Sequence, residues 1–419
     1  MTEDFLHYIW HFQSLKPGPW LSTEDEPIKV IHPGFPNHNS GPDFSNARIL
    51  IAGQLWIGSV EIHIESMDWY RHKHEHDPAY NNVILHVVYK SQETVKTQLG
   101  NSLCELSLKG LFDEQLYWRF EQRLNNSTHL ACAEVFSSCL DLHKYEMLDR
   151  CAVDRMKQRM TRMECLFQEL RGDWDALFYH LIAKSLGQKV NKEPMEMLAR
   201  VVPYQLWRKH VRDSEALMAL FLGMSGLLPS SGDAQVKKWR SLFNYLQHKH
   251  QLRPLEPSIW KYARMRPHSF PDRRIAQLAS LAPELESWFS RIRAGGWQDF
   301  KWPALTSFWS YHYRLSKLSS VQLKVEWSKD QINALKINAL VPILYFYGMK
   351  LNRESLQNRA FEILQSLPPE SNKITKGYEQ LGLSISSAYD SQACLTWHET
   401  YCRPKKCLTC TLGNKLLNA

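Results

Sequence analysis

The chain has 419 residues, enough for two to three domains of roughly 100–200 residues each. Apolar residues make up 44% of it and charged residues 22%, a globular composition that excludes disorder on a large scale. The formal net charge is +8, but residues 1–110 hold 8 Lys+Arg against 13 Asp+Glu while the remainder holds 43 against 30. The basic excess therefore belongs to the C-terminal part, where it predicts a polyanionic partner or, equally, solvated helical faces.

Met1 to Trp10 carries Glu3 and Asp4 and lacks a basic region followed by an apolar one, so no signal peptide is expected. No window is read as approaching the ~18 apolar residues of a membrane span. The nine cysteines are odd in number, which predicts reduced thiols and, with the absent signal, a cytoplasmic protein without membrane contact.

In chain order, Thr2 is expected to cap a first helix with Glu3 and Asp4 in its opening turn and Phe5, Ile9 and Phe12 on one face, ending at Pro17-Gly18-Pro19. Strand-like pieces follow at Ile28–His32, Ala47–Ile51, Leu55–Ile64, Val83–Tyr89 and Ser102–Leu108, punctuated by Pro33-Gly34 and Ala52-Gly53. This predicts an α/β domain, helix plus mixed sheet, over residues 1–110. From Leu111 the periods turn helical: Tyr145–Leu170, Trp174–Leu186, Ser214–Leu222, Ala234–His250, Asp272–Ala282, Gln331–Tyr347 and Glu354–Leu367. A helical domain is expected over 111–390 and a Cys-rich metal-binding tail over 391–419.

The densest chemistry lies in Asn37-His38-Asn39-Ser40-Gly41-Pro42-Asp43-Phe44 and Gly58-Ser59-Val60-Glu61-Ile62-His63-Ile64. Side chains alternate along a strand, so Val60, Ile62 and Ile64 face one side while Glu61, His63 and Glu65 face the other. If the strand beginning at Asp43 pairs with this one, Asp43 and Glu61 converge. Two carboxylates at a strand end suit a hard divalent cation, Mg²⁺ or Mn²⁺, which polarises a phosphoryl oxygen and acidifies bound water. The same acids would also be satisfied by backbone N–H groups.

The order helix, strand, Pro-Asp, strand, Glu-x-His resembles the PD-(D/E)XK nuclease-like superfamily. There, a helix and a central mixed sheet of restriction-endonuclease type present an Asp and an (Asp/Glu)-x-Lys motif to one or two Mg²⁺ ions. The resemblance implies that Asp43 and Glu61 are the metal-binding acids, that His63 takes the lysine position, and that Glu3 matches a helix glutamate used by some members. Histidine, with an unperturbed pKa of about 6.5, is mostly neutral where lysine is charged. His63 is left as a base, a water-orienting group, a ligand for a softer metal such as Mn²⁺ or Zn²⁺, or the mark of a degenerate site. The chain also resembles an uncharacterised bacterial family of unknown function, on Gly41-Pro42-Asp43-Phe44, Val60-Glu61-Ile62-His63, Tyr80–Val88 and the Cys407–Cys410 end.

Nine of the 18 histidines fall in the first 86 residues. His72, His74 and His76 alternate with Arg71, Lys73 and Glu75, so an extended segment would put all three on one face. They are expected to be either solvated loop residues or part of a metal site, and His86 a core histidine or a site member.

Cys394, Cys402, Cys407 and Cys410 have the spacing C-x7-C-x4-C-x2-C, with His398 an alternative ligand. Four thiolates suit tetrahedral Zn²⁺ or a [4Fe–4S] cluster. Arg264, Arg266, Arg273 and Arg274 cluster with Pro and Phe, where arginine suits either bidentate phosphate contact or pairing with acids across a helix packing joint.

These features predict a metal-dependent nuclease, with DNA the expected nucleic acid, held by the basic helical part. Its rivals are a non-catalytic nucleic-acid-binding or scaffold protein that keeps the fold, and a hydrolase of a small substrate using His63, His72 and His86.

Overall fold

The computed structural model describes residues 1–37, 40–125, 130, 132–294 and 300–418. The chain divides into two compact units: Met1–Cys151 with Lys376–Ser384 and Cys394–Ala419, and Ala152–Thr375 with Ile385–Ala393. The expected Cys-rich tail thus belongs, from Cys394 on, to the N-terminal unit.

The first unit is built on a seven-stranded mixed sheet. Its strands are β1 (Trp20–Leu21), β2 (Pro27–His32), β3 (Phe35–Pro36), β4 (Phe44–Ile51), β5 (Gln54–Glu65), β6 (Val83–Lys90) and β7 (Glu105–Ser107). The order is β1-β2-β4-β5-β6-β7, with β3 on β4; β5–β6 and β6–β7 are parallel and the rest antiparallel. The β4–β5 hairpin turns at Ala52-Gly53, both at positive φ, the punctuation read from the sequence. Helix α1 (Glu3–His11) lays Phe5, Leu6, Ile9 and Trp10 on one face of the sheet, against Val60, Ile62, Leu85, Val87 and Leu106. Leu408, near the end of the chain, joins the same core.

The opposite face of β5 and β6 is covered by the β5–β6 connection. It holds α2 (Asp68–Arg71) and 3₁₀ turns at His74–His76 and Pro78–Asn82. Trp69, Tyr80, Val83, Val95 and Leu103 form a small second core there. This segment is not extended: Lys73 takes φ +63°, which reverses the chain between His72 and His74. Helices α3 (Glu114–Asn125) and α4 (Ala133–Phe136) follow.

The second unit is helical, as the periodicity from Leu111 predicts. Asp173, Asp213 and Asp233 cap their helices by accepting from Ala176, Ala216 and Val236 N–H, and Ser328 with Gln331 forms a capping box. One helix runs Pro271–Arg293, through Pro283, where the sequence pattern ended it at Ala282. Pro283 removes one ladder bond, but Leu281, Ala282, Leu285, Trp288, Phe289 and Ile292 are buried, and their packing outweighs that loss. The stretch Lys329–Lys350 is long and apolar enough to cross a membrane by length and composition, contrary to the expectation that no window approaches this. It is continuous through a π turn at Lys336–Leu340, and Leu335, Ile337, Leu340, Ile343, Leu344 and Phe346 are buried in the core of this unit.

Candidate metal centre

Pairing of β4 with β5 places Phe44 opposite Val60, so Asp43 stands at the mouth of the hairpin beside Glu61. The two acids clasp across the strands. Asp43 N–H donates to Glu61 Oε2 at 3.0 Å, and Ile62 N–H donates to Asp43 Oδ2 at 3.0 Å. Each carboxylate is thus oriented through one oxygen by a backbone donor, which turns Glu61 Oε1 toward the histidines.

Glu61 Oε1 lies 3.2 Å from His74 Nε2 and 3.6 Å from His63 Nε2, and His63 Nε2 lies 3.1 Å from His72 Nδ1. One ligand atom from each of His63, His72 and His74 falls within 4.8 Å of the others. The reversal at Lys73 makes this possible by folding His74 back onto β5, where it stacks between Tyr80 and the His63 ring. His63 and His74 are buried and His72 is exposed, so the cluster opens to solvent at His72.

Behind it runs a relay. His63 Nδ1 is 2.9 Å from His86 Nε2, and His86 Nδ1 is 3.2 Å from Glu105 Oε2. The registers Glu61↔His86 and His86↔Glu105 on three neighbouring parallel strands set it up. We assign the His86 proton to Nδ1, the nitrogen that faces the Glu105 carboxylate at 3.2 Å. His86 Nε2 is then an acceptor, His63 Nδ1 the donor, and His63 Nε2 an unprotonated lone pair, 3.1 Å from His72 Nδ1 and 3.6 Å from Glu61 Oε1. A lone pair facing a carboxylate oxygen calls for a proton or a cation between them.

The electrostatics agree with this assignment. Burial, and then the neighbouring rings of His86, His74, His72 and His7, push the His63 imidazole down to about 2, so it stays neutral as a ligand must. Burial raises the Glu61 carboxyl above its usual range against the pull of His74. These residues fit a divalent metal: three imidazoles and one carboxylate, the donor set of zinc, manganese or iron rather than of magnesium.

On α1, His7 Nε2 lies 3.2 Å from Asp43 Oδ2 at the partly exposed rim. Burial lowers the His7 pKa, but its hydrogen bond and charge interaction with Asp43 outweigh that and raise it overall. Glu3, one turn earlier, is raised by burial against the pull of His72 and His7, which places it beside the same cluster.

Of the residues singled out in the sequence, Asp43, Glu61, His63 and Glu3 are brought together, and so are His72, His74 and His86. His76 is exposed and pairs with Glu75. His38 and Asn39 lie outside the described residues. Sequence reasoning missed His7 and Glu105. His7 sits four residues after Glu3 on one helix face, a legible spacing; Glu105 is a lone acid in a short strand and becomes significant only through register.

The arginines divide. Arg264 and Arg266 are exposed, whereas Arg273 and Arg274 are each 3% exposed. Arg273 donates to the carbonyls of Trp309, His312 and Lys324, and Arg274 to Gln277 and Ser269. These two make structural contacts inside the second unit, to carbonyl, amide and hydroxyl oxygens and not to the acids expected across a helix joint.

At the C-terminal end, Tyr378 OH lies 3.2 Å from Cys402 Sγ, and Cys410 is buried. Cys394 is buried beside Tyr378.

Residues 3–373 match the family described as "Protein of unknown function (DUF2851)". No curated protein and no solved structure matches the chain.

Proposed function

Because the chain belongs to the DUF2851 family, whose description names no activity, we propose its function from the site: a metal-dependent phosphodiesterase acting on nucleic acid. The observation that carries this is the convergence of three imidazoles, His63, His72 and His74, with Glu61 Oε1 beside His63 and His74, behind an Asp43–His7 pair at the rim. A divalent metal held by Glu61, His63, His72 and His74 supplies Lewis-acid polarisation of a phosphoryl oxygen and acidifies a bound water.

The chain's own groups supply the rest. The Glu105–His86 relay holds His63 in its ligand tautomer. Asp43 has Oδ2 held by Ile62 N–H and His7, which positions its carboxylate to accept a proton from an attacking water. His7, whose pKa is raised, carries a proton at Nε2 that a leaving oxygen can take. The PD-(D/E)XK-like reading is supported by the helix-plus-mixed-sheet arrangement and by Asp43 entering β4 with Glu61-x-His63 on β5. The basic excess outside residues 1–110, with exposed Arg264 and Arg266, supports a polyanionic substrate. The C-terminal cysteines add a separate structural metal centre, zinc or [4Fe–4S], to the same reading.

A second reading, a nucleic-acid-binding module without hydrolysis, is favoured by the backbone N–H clasp on both acids and by histidine at the lysine position. The test is hydrolysis of single- and double-stranded DNA and RNA by the full chain with Mg²⁺, Mn²⁺ or Zn²⁺. Cleavage that falls by roughly 100-fold or more in Asp43→Ala and Glu61→Ala, with circular dichroism unchanged, supports the enzyme. Binding without cleavage under every metal overturns it in favour of the module.

A further inference from the structure

Helix α3 carries Glu114, Tyr117 and Trp118 at i, i+3 and i+4, so the three share one helix face. The fold treats the two aromatics differently. Tyr117 leans on the sheet core, its ring 5.1 Å from Phe5 and its hydroxyl donating to Glu121 at 3.2 Å. Trp118, with its ring 6.3 Å from that of Tyr117, remains 59% exposed. Trp10 and Trp69 in the same unit are fully buried. A tryptophan left in water forfeits the large burial energy of its ring.

A lone exposed aromatic needs no explanation, but Trp118 borders a cleft. The cleft holds about 360 Å³ and is lined by Trp118 and Tyr117 together with Tyr89, Ile64, Lys90 and Glu114. Its floor is fixed by the core, since the Tyr89 ring lies 6.2 Å from Phe112 and Tyr117 rests on Phe5. Ile64 follows His63 on β5, and Lys90 pairs in register with Glu65 at the end of β6.

An ion-pair network joins this cleft to the open side of the histidine cluster. Lys90 Nζ lies 3.5 Å from Glu65 Oε1, and Arg71 Nη1 lies 3.3 Å from Glu65 Oε2. Arg71 precedes His72, the exposed member of the cluster. Both cations are more than half exposed, so each keeps N–H donors for a phosphate passing over them. Inside the cleft the charges are one of each sign, Lys90 and Glu114. Glu114 repels a phosphate there, whereas a flat, uncharged ring with N–H groups on its edge meets aromatic faces, an acceptor and a donor.

We propose that this cleft is a stacking subsite for one unpaired nucleobase of a strand whose phosphate reaches the histidine site, with Trp118 as the platform. The proposal rests on the nucleic-acid reading above and narrows it to single-stranded substrate. A base inside a duplex is covered on both faces by its neighbours and cannot reach Trp118.

The test separates the subsite from hydrolysis. A labelled single-stranded oligonucleotide and its duplex are titrated with the full chain and Mn²⁺ in the Asp43→Ala background, where turnover is slow, and read by fluorescence anisotropy. We expect the single strand to bind more tightly than the duplex. Adding Trp118→Ala should weaken single-strand binding by about 10-fold, and Trp118→Phe should restore most of that loss. An abasic nucleotide moved along the strand should, at one position, cost as much as Trp118→Ala and nothing further once Trp118 is gone. Because Trp118 is exposed, circular dichroism should be the same in both variants. Equal single-strand affinity with and without Trp118 overturns the subsite, even where wild-type cleavage that depends on Asp43 upholds the enzyme. Affinity that depends on Trp118 in a wild type that cleaves nothing upholds the subsite and overturns the enzyme. A chain that self-associates, and is dispersed by Trp118→Ala with oligonucleotide affinity unchanged, gives the cleft to a second copy and overturns the proposal.

Discussion

Glu105 shows what a single buried acid does in this fold. It touches none of the proposed ligand atoms; it sets the proton on His86, and through His86 the lone pair of His63. Replacing it by Gln keeps the shape but offers an amide N–H₂ in place of a carboxylate oxygen, so the ring assignment is no longer enforced. Glu105→Gln should weaken metal binding roughly 10- to 100-fold, as loss of such outer partners does, with little change in secondary structure. Competition against a chelator of known affinity measures this, and unchanged affinity would remove the relay from the argument. His7 lies at the other side of the site and acts on Asp43, not on the imidazole cluster. His7→Gln should leave metal affinity intact and lower kcat by about 100-fold, which separates proton delivery from metal binding.

At the scale of elements, the centre depends on how closely β5 and β6 approach and on the reversal between them. Gly58 is the tight point. A Cβ there would meet Ile84 Cγ2 at 2.4 Å and Asn82 O at 2.6 Å, at the start of the pairing that brings Glu61 level with His86. Gly58→Ala must therefore push the strands apart or displace the Pro78–Asn82 turn, at a cost of about 1–3 kcal/mol. Urea denaturation would register that loss, and metal affinity should fall with it because His63 and His86 shift relative to each other. A fully stable Gly58→Ala protein would mean the two strands have slack. Lys73, at φ +63°, is the matching point in the connection. Glycine adopts that conformation readily, so Lys73→Gly should be tolerated, whereas a β-branched residue there should move His74 out of the cluster.

At the scale of the whole molecule, the two units are stabilised by different means. The N-terminal unit has a modest sheet core and two candidate metal centres, so chelation should lower its thermal stability in proportion to the metal released. The helical unit has a larger apolar core, with titratable groups enclosed in it. His180, 3% exposed on the helix Trp174–Leu186, has its pKa lowered to about 4 by burial and then by Arg200. Between pH 6.5 and 4 the unfolded chain therefore binds the proton and the folded unit does not. His180 thus supports the fold above pH 6.5 and withdraws up to roughly 3 kcal/mol as pH falls toward 4. Comparing the denaturation midpoints of wild type and His180→Leu at pH 7 and pH 5 checks the sign. The substituted chain should lose less stability on acidification.

The sequence by itself determined the elements and the residue types of the site. Period-two alternation and turn pairs gave β2, β4, β5, β6 and β7 to within a few residues, and 3.6-residue periods gave most of the helices. These signals are local, carried by neighbours along the chain. Asp43 and Glu61 were legible because a short hairpin joins their strands, and Glu3 because it opens the first helix. Only the tertiary structure decided which groups meet. A parallel pairing has no turn to announce its register, so Glu105 joined His86 and His63 unforeseen. The left-handed Lys73 turned a presumed extended histidine face into a folded one. Pro283 failed to end its helix because burial further along outweighed one lost hydrogen bond.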